Sequence, residues 1–351
     1  MALDDSAPFA RPSGRVTSRE VAAATGVHQS TVSRALRGDS RISQATREQV
    51  KLAARQLGYV PNSSARSLRS QRTGIVGVMV PNIDNAYYPQ LLSDINREFA
   101  AAGYSMVLIV DPPHRRSDVS RLESLLDASL DGLLILSATL DSDMPAVLHA
   151  RGVPIVLGVR SVPGLDVDIM EPDNFSAGRA AAQHLQDLGH REVAVAMGPE
   201  ITSTTTHRLL GIQSVLADTL PPERTLHGSY SHEAGYAACN RLLRGADAPT
   251  AIIAGNDVIA IGIMDAARQL GVAIPDELSV VGFDDIPMAS WHSFRLTTVD
   301  MGTVAIAEQS ARRLVERIQH ADGPKRHELF PASLTVRGTT TAPRKEPLTI
   351  E

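Results

Sequence analysis

The hydrophobic positions of this chain change their period near residue 74. In residues 17–58 apolar side chains recur at short helical spacings: Val21 with Ala24, then Val32, Ala35 and Leu36, then Val50, Leu52, Ala53 and Leu57. The spacing predicts three short helices. Thr17-Ser18-Arg19-Glu20 matches a capping box, in which hydroxyl and carboxylate satisfy free N–H groups at a helix start. Gly26 can take the positive φ of a tight turn between the first two helices, Gly38 ends the second, and Ser43 caps a third that runs to Gly58. Three helices with such a turn form a helix-turn-helix module. Its second helix, 28–37, turns Gln29, Ser30, Ser33 and Arg34 outward. These side chains suit base edges or phosphates in a major groove, and a merely solvated polar face would carry the same pattern.

From residue 74 the pattern becomes apolar run, helix, apolar run. GIVGVMV at 74–80 reads as a parallel strand buried on both faces. A helix is expected at 88–102, a strand at 104–110, a helix at 116–128, a strand at 132–136, a helix at 144–150 and a strand at 154–157. The second series comprises helices at 174–189, 206–218, 233–244 and 258–270, with strands at 192–197, near 225–230, at 250–254 and at 278–282. Alternation on this scale predicts a doubly wound α/β body of two similar lobes. Residues 1–15 read as a disordered lead-in. The stretch YVPNSSARSLRS reads either as a Ser/Arg linker or as a two-turn helix begun at Asn62, which would leave Leu68 exposed.

Doubly wound sheets bind ligands beyond the carboxyl ends of their strands, here in the crevice between lobes. The polar residues just past those ends are Asn82, Asp84, Asn85, Asp173, Asn174, Arg208, Asn256, Asp257, Asp284 and Asp285, and Tyr87, Tyr88 and Tyr230 offer flat apolar walls. Amides, carboxylates, one arginine and aromatic faces suit a neutral polyhydroxylated ligand. Helix caps and turns use the same residue types, so Asp173, Asn174 and Asp257, each just before a helix, fit either role.

Charge sharpens the division. The net charge of −5 is uneven: residues 1–72 hold 12 Lys+Arg against 5 Asp+Glu, while the rest holds 22 against 34. A basic head on an acidic body points to a polyanion, such as DNA, meeting the head alone. At 351 residues, 43% hydrophobic and 21% charged, the composition is that of a globular chain of two or three domains. The lone cysteine, Cys239, excludes a disulfide framework and a Cys-rich zinc site and fits a reducing compartment. No apolar run approaches the ~20 residues of a membrane span, and residues 1–15 lack the apolar core of a secretory signal. A soluble intracellular protein is expected.

Enzyme signatures are missing. The sequence has no G-x-G-x-x-G, no Walker lysine motif and no G-x-S-x-G elbow, and His232-Glu233 has no second histidine four positions on. No enzyme activity, cofactor or metal is expected. A pure solute receptor would leave residues 17–69 unexplained.

The segments EVAAATGVHQSTVSRALRG (20–38), SQATREQVKLAARQLGYVPN (43–62), ARSLRSQRTGIVGVMVPN (65–82), GNDVIAIGIMDAARQLGVAIPDELSVVGFDD (255–285) and LTTVD (296–300), with DN and AAQHLQDLGH between 173 and 190, carry a resemblance. Over about residues 16–341 the chain resembles the lactose-repressor (LacI/GalR) family of bacterial transcription regulators. The resemblance implies a helix-turn-helix DNA-binding domain at 16–61, a hinge helix and linker at 62–72, and an effector-binding and dimerisation domain at 73–341. That domain is of periplasmic-binding-protein type, with an N-lobe of about 73–170 and 300–325, a C-lobe of about 171–296 and 326–341, and a tail at 342–351. It also implies that Gln29 and Ser30 read bases with Arg34, and that Thr31 and Ser33 meet phosphate. Thr17, Arg37, Asn62 and Ala65 join the DNA set, and Leu68 wedges between base pairs from a hinge helix in the minor groove. The implied effector pocket comprises Asn82, Asn85, Tyr87, Tyr88, Asn174, Arg208, Tyr230, Asn256 and Asp284.

The expected protein is thus a cytoplasmic, nucleoid-associated homodimeric repressor on an approximately palindromic double-stranded DNA operator, released by a small carbohydrate-like effector. A purine or phosphoprotein corepressor is the alternative. Four positions depart from the family pattern: Val159 precedes Arg160 where an aspartate is common, His28 stands for a capping serine, Ser18 for an aliphatic residue and Arg37 for asparagine. The tail APRKEPLTIE lacks leucine heptads, which favours a dimer over a tetramer.

Overall fold

The computed structural model describes residues 16–36, 38–59, 72–112, 130–216, 219–245, 247–320 and 323–348. The expected lead-in, Arg37, the hinge positions Asn62, Ala65 and Leu68, and the helix expected at 116–128 lie outside the described residues. The chain divides into two compact units, Met1–Thr73 and Gly74–Glu351.

The first unit contains helices α1 (Ser18–Thr25), α2 (Gln29–Leu36) and α3 (Gln44–Gln56). At its start the Thr17 backbone N–H donates to Glu20 Oε2 at 2.6 Å, and the Thr17 hydroxyl donates to the same oxygen at 2.9 Å. Gly26 sits at φ 69° between α1 and α2, the left-handed conformation such a turn requires. Val21, Val32, Ala35 and Val50 are fully buried and form the small core. Three expectations fail here. Ala24, Leu52 and Leu57 are exposed, because the inner face of α1 is Val21, Ala22 and Thr25 and that of α3 is Val50 and Ala54. Thr25 tolerates burial because its hydroxyl donates to the Val21 carbonyl at 2.7 Å.

The second unit holds two six-stranded sheets. In the first lobe β1 (Ile75–Val80), β2 (Ser105–Val110), β3 (Gly132–Ile135), β4 (Ile155–Gly158) and β5 (Asp168–Pro172) are all parallel. Helix α4 (Tyr87–Ala101) lays Leu91, Ile95 and Phe99 on this sheet, and α5 (Met144–Ala150) connects β3 to β4. The second lobe contains α6 (Asn174–Asp187), β6 (Val193–Met197), α7 (Ser203–Leu216), β7 (Thr225–His227), α8 (His232–Leu243), β8 (Ala251–Ala254), α9 (Asp257–Gln269), β9 (Ser279–Phe283) and β10 (Thr297–Asp300). Helix α10 (Thr303–Gln319) then packs on α4 and β4 of the first lobe. Strand β11 (His327–Phe330) pairs with β5, and β12 (Ser333–Thr335) returns to pair antiparallel with β10. The sheet orders are β11-β5-β4-β3-β1-β2 and β12-β10-β9-β8-β6-β7.

The last lobe boundary differs from the expected one at 325/326. Residues 327–330 belong to the N-lobe sheet, held there by the register His327 to Ile169 through Phe330 to Pro172. The chain therefore crosses between lobes at 172–173, 300–303 and 330–333. These crossings lie side by side: Asp173 N–H donates to the Phe330 carbonyl at 2.8 Å, and Asp300 pairs with Ser333.

Candidate functional site

On α2 of the first unit, Gln29, Ser30, Ser33 and Arg34 are exposed on the face opposite Val32 and Ala35, and Thr31 is half-buried. The two unusual residues of this unit each find a bond. His28 Nδ1 lies 2.9 Å from Ser30 Oγ and accepts the Ser30 backbone N–H at 3.3 Å, so the imidazole works as the cap. Ser18 Oγ accepts from Gln29 Nε2 at 2.8 Å, tying the start of α2 to α1.

In the second unit the polar residues converge on Arg208. Helices α6 and α7 can approach closely because Gly178 and Gly211 carry no side chain; a methyl at either would overlap the carbonyl of Arg208 or Phe175. That proximity lets Arg208 Nε donate to Asn174 Oδ1 at 2.9 Å. Arg208 Nη1 donates to the Gly255 carbonyl at 2.6 Å, and Nη2 meets Asp284 Oδ1 at 3.1 Å. The guanidinium carbon also lies 4.7 Å from the Phe283 ring centroid. Asp284 reaches this position through a strained turn, with φ 103° at Asp284 and 46° at Asp285. Burial pushes the Asp284 carboxyl above its ordinary range, and the Arg208 charge opposes that rise.

Other expected pocket residues take structural bonds. Asn82 Oδ1 accepts from Asn85 N–H at 3.2 Å and Asn85 Oδ1 from Tyr87 N–H at 3.0 Å, so both shape the turn into α4. Asn256 caps α9 through Ile259 N–H at 2.9 Å, and Asp173 caps α6 through Ser176 N–H at 2.9 Å. Asp257 is turned under the 282–286 loop, accepting from Thr298 Oγ1 at 2.5 Å and Ile286 N–H at 2.9 Å. Asp285 pairs with Arg337 at 2.6 Å. Tyr87 and Tyr88 are buried edge to face, their centroids 5.5 Å apart. Burial raises both phenols; the Asp284 charge adds to the rise at Tyr87, and Arg160 offsets part of it at Tyr88. A cavity of about 440 Å³ opens on Tyr87, Asp284 and the start of α10, within the size range of small-molecule sites.

Sequence reasoning passed over several residues of this cleft. The lobes touch where Leu140 N–H donates to the Ile201 carbonyl at 2.8 Å and Ser161 N–H to Ser203 Oγ at 3.0 Å. Tyr230 is oriented by Thr205, hydroxyl to hydroxyl at 2.8 Å, and Gly198 leaves room for its ring. Arg160 lies 5.9 Å over that ring. The hydroxyl run Thr202-Ser203-Thr204-Thr205-Thr206 and the missing aspartate before Arg160 were the available signals. Among the described residues no three His, Cys, Asp or Glu side chains are placed to hold a metal, and no helix is long and apolar enough to cross a membrane.

Comparison with known proteins matches these units. Residues 17–62 match the model of bacterial regulatory proteins of the lacI family, and residues 182–340 that of a periplasmic binding protein-like domain. The HTH-type transcriptional regulator MalR of Streptomyces coelicolor is 32% identical over 335 residues, which is 92% of this chain and 96% of that relative. Among solved structures, the lac repressor dimer bound to operator and the anti-inducer ONPF superposes with a TM-score of 0.83 at 28% identity, covering 94% of this chain and all of that one. The transcriptional regulator CelR in complex with cellobiose gives 0.70 at 31% identity, covering 93% of this chain and all of that one. These relatives are transcription regulators rather than enzymes. With its helix-turn-helix unit and its two-lobed α/β effector unit, this chain belongs to the LacI family of bacterial DNA-binding transcription regulators.

Proposed function

We propose that the protein is a homodimeric repressor that binds an approximately palindromic operator and releases it when a small polyhydroxylated ligand enters the cleft. The observation that carries the effector reading is the array around Arg208. It fixes a guanidinium, a carboxylate and two amides at the carboxyl ends of the second-lobe strands, where hydroxyl groups could be gripped without reorganisation. The cellobiose held by CelR supports a carbohydrate class for the ligand. On the DNA side, Gln29, Ser30 and Arg34 are the base-reading residues, exposed on a helix whose opposite face is buried.

Control follows from two-state logic. A ligand that binds one lobe arrangement better than the other shifts the population, and couplings of about 1–3 kcal/mol are typical. Selection from random duplex DNA with the full-length protein gives the operator; fluorescence anisotropy on that operator then reads release by candidate ligands. The expected result is a palindrome whose complex dissociates as ligand is added. Enrichment of no sequence refutes the repressor reading, and a ligand that tightens the complex makes the protein corepressor-dependent.

A further inference from the structure

The cleft contains a second arginine with the opposite circumstances of Arg208. Arg160 is 5% exposed, yet its Nε and Nη1 are buried without a hydrogen-bond partner, and it forms no ion pair with any described residue. The backbone aims it there: Arg160 N–H donates to the Gly158 carbonyl at 2.7 Å across Val159, which is forced to φ 67°. A β-branched residue adopts that tight turn only under strain. Its neighbours are neutral or already used. Tyr230 supplies a ring face, Asp284 feels the Arg160 charge but is bonded to Arg208, and Glu171 is taken by Ser161 Oγ at 3.1 Å and His327 Nε2 at 2.8 Å.

The opposite wall adds to the same sign. Ser161 is bonded to Ser203, the first residue of α7, so the positive end of a 14-residue helix abuts the Arg160 segment. Thr204 Oγ1, on that first turn, is also buried without a partner. A buried cation with unused N–H groups, an unused hydroxyl and a helix N-terminus together lack an anion. A neutral hydroxyl could accept from Arg160 but would leave its charge unmatched; a carboxylate or phosphoryl oxygen does both.

We propose that the effector carries an anionic group, a carboxylate or a phosphoryl, and that Arg160 and Thr204 receive it. This rests on the reading of the cleft as the effector site. The ligand is then an acidic or phosphorylated polyhydroxyl compound, its hydroxyls toward Arg208 and Asp284 and its charge toward Arg160.

The first test needs no knowledge of the effector. Full-length protein is titrated with acetate or inorganic phosphate against chloride at constant ionic strength, and its thermal midpoint is followed. A saturable rise is expected, lost in Arg160→Gln and kept in Arg160→Lys. A rise with acetate alone indicates a carboxylate, and with phosphate alone a phosphoryl group. No saturable rise, or an equal rise in Arg160→Gln, overturns the assignment.

The second test separates this assignment from the effector reading itself. A metabolite extract is divided on an anion-exchange resin, and each fraction is assayed for release of the selected operator. Releasing activity in the bound fraction, needing about 10- to 100-fold more material with Arg160→Gln, supports the anion. Activity in the unbound fraction that Arg208→Ala abolishes and Arg160→Gln does not overturns the anion while keeping the effector site. If neither fraction acts, the effector reading fails and the anion site is judged by the titration alone.

Discussion

The two faces of the cleft each bury an arginine, and the protein surrounds them differently. On the second-lobe face Arg208 is saturated by an amide, a backbone carbonyl, a carboxylate and an aromatic ring. On the first-lobe face Arg160 has one aromatic ring and no acceptor. The first arrangement is complete within the protein; the second leaves N–H groups unused, which is what the proposed anion would complete. The same lobes differ in how they are braced. Asp168 of β5 accepts from Arg313 and Arg317 of α10, each at 2.8 Å, and from Arg326 N–H at 2.9 Å. The second lobe has a neutral counterpart, His190, whose ring nitrogens lie 2.8 Å from Thr250 Oγ1 and 2.8 Å from the Thr341 carbonyl.

The contrast can be broken most forcefully at Asp168. Asp168→Ala removes the carboxylate that two buried guanidinium groups share, and a loss of about 3–5 kcal/mol in urea unfolding is expected; a loss under 1 kcal/mol would show the brace to be dispensable. Arg208→Ala strands the Asp284 carboxylate, so a loss of about 3 kcal/mol is expected together with a flat ligand response on operator DNA. A normal dose response would remove Arg208 from the pocket. Arg160→Gln, the same residue type on the other face, should stay within about 1 kcal/mol of the parent, because only a ring contact with Tyr230 and no hydrogen bond or ion pair is lost.

The smallest effect is acid sensitivity. Burial lowers the His190 pKa below 6.5, and the same cause lowers His184. The unfolded chain therefore takes up these protons first. Their contribution is intact above the unfolded value and is lost as the pH falls through the folded one. Unfolding midpoints should drop as the pH is lowered below about 6.5, and His190→Gln should reduce that slope. An unchanged slope would place the acid response elsewhere.

The strand and helix alternation was legible because parallel strands buried on both faces leave continuous apolar runs. Strand β5 escaped for the opposite reason. Its sequence DIMEP holds Asp168 and Glu171, both buried, and their partners include Arg313, Arg317, Arg326 and His327, about 145 or more residues away along the chain. Helix α10 hides its inner face in the same way, with Arg313 and Arg317 among the buried positions beside Ile306 and Leu314. In the site, Asp284 could be read from its place just past β9, whereas Arg208 lies inside α7 rather than at a strand end and was legible through the resemblance. Their saturation could not, since it depends on the close approach of α6 and α7 at Gly178 and Gly211. The missing aspartate before Arg160 was legible, but that its nitrogens stay without a partner depends on the fold around it.

The three adjacent crossings between lobes have a mechanical consequence. One tether would let the lobes swivel freely, whereas three lying side by side, one of them between paired strands of each sheet, define a line. They form a flexure: the lobes can rotate about that line but resist sliding past one another. Whatever the cleft binds, the output available to the rest of the molecule is an angle. Two ligands of quite different chemistry would be equivalent effectors if they held the lobes at the same angle, and a tight binder that failed to set it would be silent.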